Sequence, residues 1–357
     1  MIVLVTLMFT TVALVAFVEK AGDDLLVEAR EATSRRLRKE AYSALEVTLG
    51  VLEDFRLVNG GLRSPAEGWS DPLEFAGWEP QDGREVEVAF EDESGKLSLP
   101  QAELATLVNL FKGWGMQQAD AERLADAMLG WMKKDHVSST ARQPDYDQVS
   151  LPYGPPLRSM RSYSELAAID YAREVFFDEN GQPNELWQRF VAAISLFDFK
   201  NTNLNGLSGN LLNDLGLIDD AQQRDFEDFR SGRGSHARQG PGFFQTPAEA
   251  ASVLGAQAAL TGYGTEISAL RIILTVKEGR SNFRLSVVVA PTGGAKVIQE
   301  VAASTAEITP DTPAPKPSPA KDAEDSAGAK KLKYPFTLLE IRENAEISAV
   351  SAPPTQA

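Results

Sequence analysis

The first 18 residues of the chain form an uninterrupted apolar block. Residues 1–18 read MIVLVTLMFTTVALVAFV, with no charged side chain and only three threonines as polar side chains. A membrane-spanning helix needs roughly 17 to 25 apolar residues, so this block is just long enough to cross a bilayer. A cleaved signal peptide would need a basic start and a small-x-small cleavage motif, and neither precedes Glu19. We therefore predict a transmembrane segment over residues 1–18.

A helical pattern continues beyond this apolar block. Residues 19–40 contain strong helix formers and no proline, and from Leu37 onward apolar residues return every three or four positions. The pattern predicts one helix over residues 1–55, roughly 80 Å long at about 1.5 Å per residue. Its first third is lipid-soluble and its last third is amphipathic. The residues on the amphipathic stripe are Leu37, Ala41, Leu45, Leu49, Leu52 and Phe55.

Three later regions have the period-two alternation of half-buried strands. Residues 85–99 alternate around a Glu-Ser-Gly turn at 93–95, which predicts a hairpin that leads into a helix. Residues 267–290 form two alternating runs around Gly279 and predict a second hairpin. Residues 335–341 predict one more strand. The strands are therefore expected near both ends of the head that follows the long helix.

Helical spacing dominates the chain between these strand regions. Apolar residues recur at helical intervals between residues 104 and 132, and Thr246 followed by Pro247 is typical of a helix start. This separation of helices from strands predicts an α+β fold, in which a large helical domain is inserted into an antiparallel sheet. The predicted boundaries are residues 1–55 for the long helix, 56–100 for the first part of the head, 101–258 for the inserted domain, 259–300 for the second hairpin, 301–333 for a disordered linker, 334–345 for the last strand and 346–357 for the tail.

Charge and composition exclude several function classes. The chain has 51 Asp and Glu against 35 Lys and Arg, a net charge of −16, which disfavours nucleic acid as a partner. It has no cysteine, so disulfides, thiolate metal sites and cysteine nucleophiles are excluded. The two histidines, His136 and His236, belong to no catalytic motif and are expected to be solvated. We predict no catalytic residue and a structural role.

Acidic residues in two loops are candidate ligands for a hard cation. Oxygen ligands from carboxylates are those that calcium prefers. The run from Asp178, DENGQPNE, does not fit an EF-hand, because Gly181 falls at its fourth position. Solvated carboxylates are the alternative interpretation, so calcium is only a possible cofactor and no other is predicted. The candidate ligands are Asp135, Asp145, Asp147 and Asp178.

Two sequence motifs lie in the head. The first is Asp-Glu-x-Gly-Lys at residues 92–96, which precedes helices that end near a tryptophan. The second is the Asn-rich segment 203–217, whose polar residues are suited to cap a helix start. In this order the motifs resemble those of the minor pseudopilin K of the type II secretion system, also called general secretion pathway protein K. Such a hairpin also resembles SAM-like and helix-hairpin-helix modules. The matching residues, which we expect to have structural roles, are Asp92, Gly95, Trp131, Asn203, Asn205 and Leu212.

The long helix resembles the N-terminal stem of type IV pilins and type II pseudopilins. It differs at position 5, where Val5 replaces the usual glutamate. The resemblance implies that the apolar N-terminal half of the helix packs in a membrane or filament core. It also implies that the amphipathic half lies on a sheet and contacts sister stems. The residues expected in the membrane or filament core are Ile2, Leu4, Val5, Leu7, Phe9, Leu14 and Phe17.

The resemblance also implies a function. Such a subunit would sit at the tip of the pseudopilus and prime its assembly for protein export across the outer membrane. Its partners would be the I- and J-type minor pseudopilins, the major pseudopilin, inner-membrane lipid and the prepilin peptidase that processes it. It would be a single-pass protein of the bacterial inner membrane with a periplasmic head.

Two alternatives remain open from the sequence. The chain could be a membrane-anchored periplasmic binding or sensor protein with a non-pilin head, in which case the long helix should break near Ala21 and Gly22. It could also be the equivalent priming subunit of a type IV pilus or competence system.

Overall fold

The computed structural model describes residues 2–140, 146, 153–238, 240–255, 260–296 and 335–344. The helices are α1 (Ile2–Asn59), α2 (Pro72–Phe75), α3 (Leu104–Gly113), α4 (Gln118–Met132), α5 (Ala172–Phe176), α6 (Glu185–Ala193), α7 (Gly209–Asp214), α8 (Asp220–Ser231) and α9 (Pro247–Leu254). The strands are β1 (Glu85–Asp92), β2 (Leu97–Ser98), β3 (Ile194–Ser195), β4 (Thr202–Asn203), β5 (Tyr263–Gly264), β6 (Leu270–Glu278), β7 (Ser281–Pro291) and β8 (Phe336–Glu343).

The first helix is one continuous rod. α1 contains 58 residues and passes Ala21 and Gly22 without interruption, as the stem interpretation predicts. It ends at Asn59, four residues later than predicted, and Gly60 follows with a φ of 73°. Within the described part of the chain, no helix combines the length and apolarity that a membrane crossing requires.

The second half of α1 packs on a four-stranded antiparallel sheet. The strand order is β1-β6-β7-β8, and α1 crosses β6 and β7. Alternate residues of these two strands, such as Ile272, Leu274 and Val287, form a core with the helix. All six residues of the predicted amphipathic stripe belong to this core: Leu37, Ala41, Leu45 and Leu52 are buried, and Leu49 and Phe55 are partly buried. The predicted packing of the stem on a sheet is therefore confirmed.

The buried stripe limits where another stem can bind. Leu37, Ala41, Leu45 and Leu52 have at most 5% of their surface exposed, because the chain's own sheet covers them. Contact of these residues with sister stems stays a prediction. In this structure, a neighbouring stem would have to approach another face of α1.

The opposite face of the sheet packs against the helical part of the molecule. Val288 and Ala290 of β7 are buried there with Phe199, and Phe197 packs against the same cluster. β7 is thus buried on both faces, which accounts for its unbroken apolar run Val287–Ala290. The sheet lies between α1 and the helical part of the chain.

The helical part has its own core, built chiefly from α3, α4, α6 and the segments around α7. Leu107, Phe111, Leu124 and Met128 are completely buried in it. Thr246 accepts a hydrogen bond from the backbone N–H of Glu249, so α9 begins where the sequence predicts. The domain boundaries stay predictions, and the linker at 301–333 and the tail at 346–357 lie outside the described residues.

The two hairpin predictions have different outcomes. The hairpin at 267–290 is confirmed, since β6 pairs with β7 around Gly279, whose φ is 60°. The hairpin predicted at 85–99 is wrong. β1 ends at Asp92, a buried turn follows at 93–95, and β2 pairs in parallel with β3 instead. Where the chain leaves the sheet, Glu93 Oε1 lies 2.6 Å from Nη2 of Arg271 in β6.

This buried ion cluster links four structural elements. Arg271 of β6 donates from Nε to Glu93 Oε1 at 2.7 Å and from Nη1 to Ser286 of β7 and Glu340 of β8, each at 3.2 Å. Lys96 Nζ lies 3.3 Å from Glu93 Oε2. Burial disfavours the charged form of Glu93, yet the positive charges of Lys96 and Arg271 outweigh it and lower the pKa of the Glu93 carboxyl.

Two further polar contacts attach α1 to the sheet. Arg84, just before β1, donates from Nη1 to Glu40 Oε2 of α1 at 3.0 Å, and both side chains are buried. At the other edge, Glu343 of β8 accepts hydrogen bonds from Tyr42 at 2.6 Å and from Arg38 at 2.9 Å. Both hydrogen bonds lower the pKa of the Glu343 carboxyl, and the one from Tyr42 has the larger effect. The helix is therefore held at both edges of the sheet.

The ion cluster predicts a specific stability pattern. Arg271→Met should reduce the free energy of unfolding by about 3–5 kcal/mol, because Glu93 would remain buried with Lys96 as its remaining counter-charge and without the hydrogen bond from Arg271. The double variant Arg271→Met/Glu93→Gln should recover much of this loss. Urea unfolding followed by tryptophan fluorescence measures both. A double variant no more stable than the single one would show that the loss comes from packing rather than from the unpaired charge.

Candidate functional site

Two of the motif residues form a hydrogen-bonded junction between the sheet and the helical part. Asn203 of β4 donates from Nδ2 to Asp92 Oδ2 of β1 at 2.7 Å and to the Arg63 carbonyl at 3.0 Å. Its Oδ1 accepts from the backbone N–H of Asn205 at 3.0 Å. Asp92 Oδ1 in turn accepts from the hydroxyl and the backbone N–H of Ser94. The two motifs thus meet, although 111 residues separate Asp92 from Asn203.

Asn205 holds a second set of backbone groups together. Its buried Nδ2 donates to the carbonyls of Phe244 and Thr265, both at 2.9 Å. Its Oδ1 accepts from the backbone N–H of Phe244 at 2.7 Å. The side-chain amide therefore joins the segment before α9 to the segment before β6. The side-chain amides of Asn203 and Asn205 both form hydrogen bonds with backbone groups, which explains how the Asn-rich motif can have its predicted structural role.

The junction requires two glycines in contact. A Cβ atom on Gly95 would overlap the backbone of Gly206, and a Cβ on Gly206 would overlap the Asp92 carboxylate. Neither glycine has a positive φ, so their small size rather than backbone freedom is what matters here. Close packing of the two backbones brings β4 against the turn after β1.

Asp92 has an unusual electrostatic environment. Burial raises the pKa of its carboxyl to about 6, although hydrogen bonds from Ser94 and Asn203 favour the charged form. Burial lowers the pKa of the nearby Arg230 guanidinium, although the negative charge of Asp92 favours its protonated form. Burial therefore outweighs the hydrogen bonds at this position.

The other two motif residues lie in the helical core. Trp131 is buried and donates from Nε1 to Glu165 Oε2 at 3.3 Å. Its ring packs against Tyr146 and Tyr153, with centroids 5.6 and 6.2 Å away. Leu212 of α7 is completely buried. Trp131 thus connects α4 to Tyr146 and Tyr153, which follow this helix in the chain.

The calcium candidates are not assembled into a site in the described part of the chain. Asp135 and Asp178 are exposed, while Asp145 and Asp147 lie outside the described residues. Asp178 Oδ1 accepts from the backbone N–H groups of Asn180 and Gln182, at 2.9 and 2.8 Å, and so organises its own turn. Among the described residues, no three acidic or histidine side chains are grouped as a metal site requires.

Asp126 is a structural centre that was not predicted from the sequence. This buried carboxylate of α4 accepts from the backbone N–H groups of Ser139 and Thr140, at 2.9 and 2.8 Å. His136 Nε2 lies 3.0 Å from its Oδ1, so His136 is partly buried rather than solvated as predicted. Burial opposes ionisation of Asp126, but the hydrogen bonds from Ser139 and Thr140 prevail and lower its pKa. The available signal was an aspartate within the apolar run LADAMLGWM, residues 124–132.

The apolar start of α1 projects away from the head. Leu7, Phe9, Leu14 and Phe17 are 63–75% exposed. The side chains of Ile2, Leu4 and Val5 lie outside the described residues. Packing of this segment in a membrane or filament core stays a prediction, but the described side chains are free of the chain's own core.

Asp92 should make stability depend on pH in an uncommon direction. Its pKa is about 6 in the folded protein against an ordinary value of 3.8 for an aspartate, so the folded state holds the proton more tightly. The stability from this group is then complete below about pH 4 and is lost as the pH rises through about 6. Wild type should lose about 1–3 kcal/mol relative to Asp92→Asn between these limits. Urea unfolding at each pH tests this, and an NMR titration of Asp92 with a midpoint below 4 would contradict it.

Substitution by alanine should have opposite effects on the free energy of unfolding at Gly206 and at Gly50. Gly206→Ala should lower the free energy of unfolding by about 1–3 kcal/mol, because its Cβ has no room beside Asp92. Gly50→Ala is the matched control, since Gly50 is exposed in α1 with nothing nearby. That substitution should stabilise the protein by about 0.5–1 kcal/mol. Equal effects at the two positions in urea unfolding would refute the close-packing explanation.

Comparisons with known proteins agree with this architecture. Residues 89–177 match the family model described as type II secretion system (T2SS), protein K, a segment that includes Asp92, Gly95 and Trp131. No curated protein matches the chain. The fold is similar to a chain in the crystal structure of the GspK-GspI-GspJ complex from the type 2 secretion system of enterotoxigenic Escherichia coli. The TM-score is 0.52 at 12% identity, covering 74% of this chain and 93% of that one.

The family match and the fold support the same conclusion. The matched segment runs from β1 through α5 and thus contains the crossing from the sheet into the helical part. The similarity of fold extends over most of the chain, including regions outside that segment. The match over residues 89–177 and the similar fold together support a type II secretion system protein K with a minor pseudopilin role in type II secretion.

Proposed function

We propose that this minor pseudopilin occupies the tip of the pseudopilus and primes its assembly for export across the outer membrane. The observation that carries the proposal is the form of α1. Its first part is apolar and exposed, and its second part is built into the core of the head. In a subunit of this form, the exposed apolar end of the helix can insert into a membrane or a filament, while the head remains outside at the other end of the helix.

The size of the head favours the tip over the body of the filament. The helical part packs on one face of the sheet and α1 packs on the other, so both faces of the sheet carry further structure. In pseudopilins with a glutamate at position 5, that acid compensates the free N-terminus of a neighbour. Residues 1–18 of this chain contain no carboxylate that could compensate a neighbour's N-terminus, which matters little for a subunit at the end.

The proposed partners are the I- and J-type minor pseudopilins and, below them, the major pseudopilin. The similar solved structure is a complex of GspK with GspI and GspJ, which supports this choice. We further propose that residues 1–18 anchor the chain in the inner membrane, with the head in the periplasm, and that a prepilin peptidase processes it. The inserted domain would be SAM-like or similar to a helix-hairpin-helix module.

The remaining alternatives differ in support. The continuity of α1 across Ala21 and Gly22 speaks against an anchored sensor with an independent head. A priming role in a type IV pilus or competence system would use the same stem, but the family match is to type II secretion.

Partner binding and secretion test the proposal together. The full chain, purified in detergent, should co-purify with I- and J-type minor pseudopilins of the same organism. Deletion of its gene should abolish export, and the intact gene should restore it. As a control, Gly50→Ala should support both binding and export. Absence of binding to either partner, with export unchanged in the deletion strain, would refute the tip role.

A further inference from the structure

A polar cavity lies beside the junction of Asp92 and Asn203. It has a volume of about 320 Å³, and parts of β1, β6, α7 and α8 form its wall. A water molecule occupies about 30 Å³ in the liquid, so the cavity has room for a small polyatomic ion. Three cations face two carboxylates there, in a chain whose net charge is −16. These ionisable lining residues are Arg63, Glu91, Asp92, Lys96 and Arg230.

Arg230 is a mostly buried cation without a carboxylate partner. Its Nη1 donates to the Leu207 carbonyl, and it forms no ion pair within the described part of the chain. Burial lowers the pKa of its guanidinium, although the negative charges of Asp92 and Glu227 favour the protonated form. A guanidinium has five N–H donors, and a buried cation is costly when it is unpaired. Arg230 can therefore bind an anion without losing an existing ion pair.

Arg63 supplies a second guanidinium to the same cavity. Its ion pairs are long, with 3.5 Å between Nη1 and Glu67 and 3.7 Å between Nη2 and Glu266. Its Nε is buried and has no acceptor among the described residues. A buried donor without an acceptor is uncommon in native proteins and calls for a partner.

The remaining charges of the cavity oppose an anion least at low pH. Glu91 is paired with Lys96, whose Nζ lies 2.5 Å from Glu91 Oε1 and 3.3 Å from Glu93 Oε2. Asp92 is then the lining carboxylate that repels an anion. Burial raises the pKa of the Asp92 carboxyl to about 6, so this group is mostly neutral at pH 5 and mostly charged at pH 7.5.

Two hydroxyls of the lining add uncharged donors. Ser64 Oγ accepts from the backbone N–H of Ala66, and Ser208 Oγ accepts from that of Leu211, both at 3.3 Å. Neither hydroxyl donates a hydrogen bond within the described part of the chain, so each keeps its own proton for an acceptor. Guanidinium groups bind phosphate-like oxyanions through charge-assisted hydrogen bonds, which hydroxyls can complete.

We propose that this cavity binds a small free oxyanion of the phosphate or sulfate type, held between the guanidinium groups of Arg63 and Arg230. Arg63 follows α1 in the chain and Arg230 belongs to α8, so the bound anion links the stem side of the head to the helical part. The ligand is a free ion rather than a lipid headgroup, because buried residues such as Lys96 and Asn205 form much of the wall. This site does not depend on the tip role.

Sulfate is the probe for this site, because its charge does not change between about pH 5 and 8. Titration calorimetry on the full chain in detergent, at constant ionic strength, should show one saturable site at pH 5. The affinity should be at least about fivefold lower at pH 7.5, where Asp92 is charged. Asp92→Asn should bind sulfate equally well at both pH values. A wild-type affinity that is independent of pH would overturn the proposal.

A pair of arginine variants tests which residue binds the anion. Arg230→Gln should lower the sulfate affinity at pH 5 at least about tenfold, because one of the two guanidinium groups is lost. The control is Arg224→Gln, which removes the same charge from an exposed position of α8 and should bind as wild type does. Equal affinities of the two variants would mean an adventitious ion only. If circular dichroism shows that Arg230→Gln is unfolded, the pH dependence of wild type and Asp92→Asn still decides.

Competition distinguishes a free ion from a headgroup. Inorganic phosphate should displace sulfate at pH 5 more effectively than glycerol 3-phosphate, a soluble phosphate monoester that carries a lipid-like glycerol. More effective displacement by glycerol 3-phosphate would overturn the assignment to a free ion.

Discussion

The packing of α1 on β6 and β7 is the contact on which the rest of the structure depends. Leu37, Leu45 and Leu52 are buried there, and full burial of a leucine contributes about 1.5–3 kcal/mol. Because the helix forms one side of the sheet's core, the sheet cannot form a complete core without it. The exposed first half of α1 is then an extension of a helix already fixed by the head, and this makes the stem rigid where it leaves the head.

Polar contacts, one of them a buried ion pair, give this apolar contact a defined geometry. An apolar stripe alone would tolerate some sliding of the helix on the sheet, but Glu40 must meet Arg84 and Glu343 must meet Arg38 and Tyr42. Buried ion pairs contribute little net stability, since desolvation offsets most of the attraction. The effect of the Glu40–Arg84 pair is on alignment, because a displaced helix would separate these two buried side chains.

Local patterns were predictable from the sequence, whereas long-range pairings were not. The helical spacing from Leu37 to Phe55 and the alternation around Gly279 each identify an element and its buried face, and the structure has both. The parallel pairing of Leu97 with Ile194 has no such signal, because two-residue strands show no period. Asp92 and Asn203 were recognised separately as motif residues. A single sequence contains no information that they would bind each other, and the same holds for Glu93 and Arg271.

The polar junctions also connect the stem to the helical part of the head. Glu40 binds Arg84, which immediately precedes β1, and β1 ends at Asp92, which binds Asn203. Arg271 contacts Glu93 in the turn after β1 and also reaches β7 and β8. α1 could therefore change its orientation relative to the helical part only if buried polar contacts broke. This continuity favours a head that moves with its stem as one body, so a force applied to the stem would be transmitted to the helical part without a hinge between them.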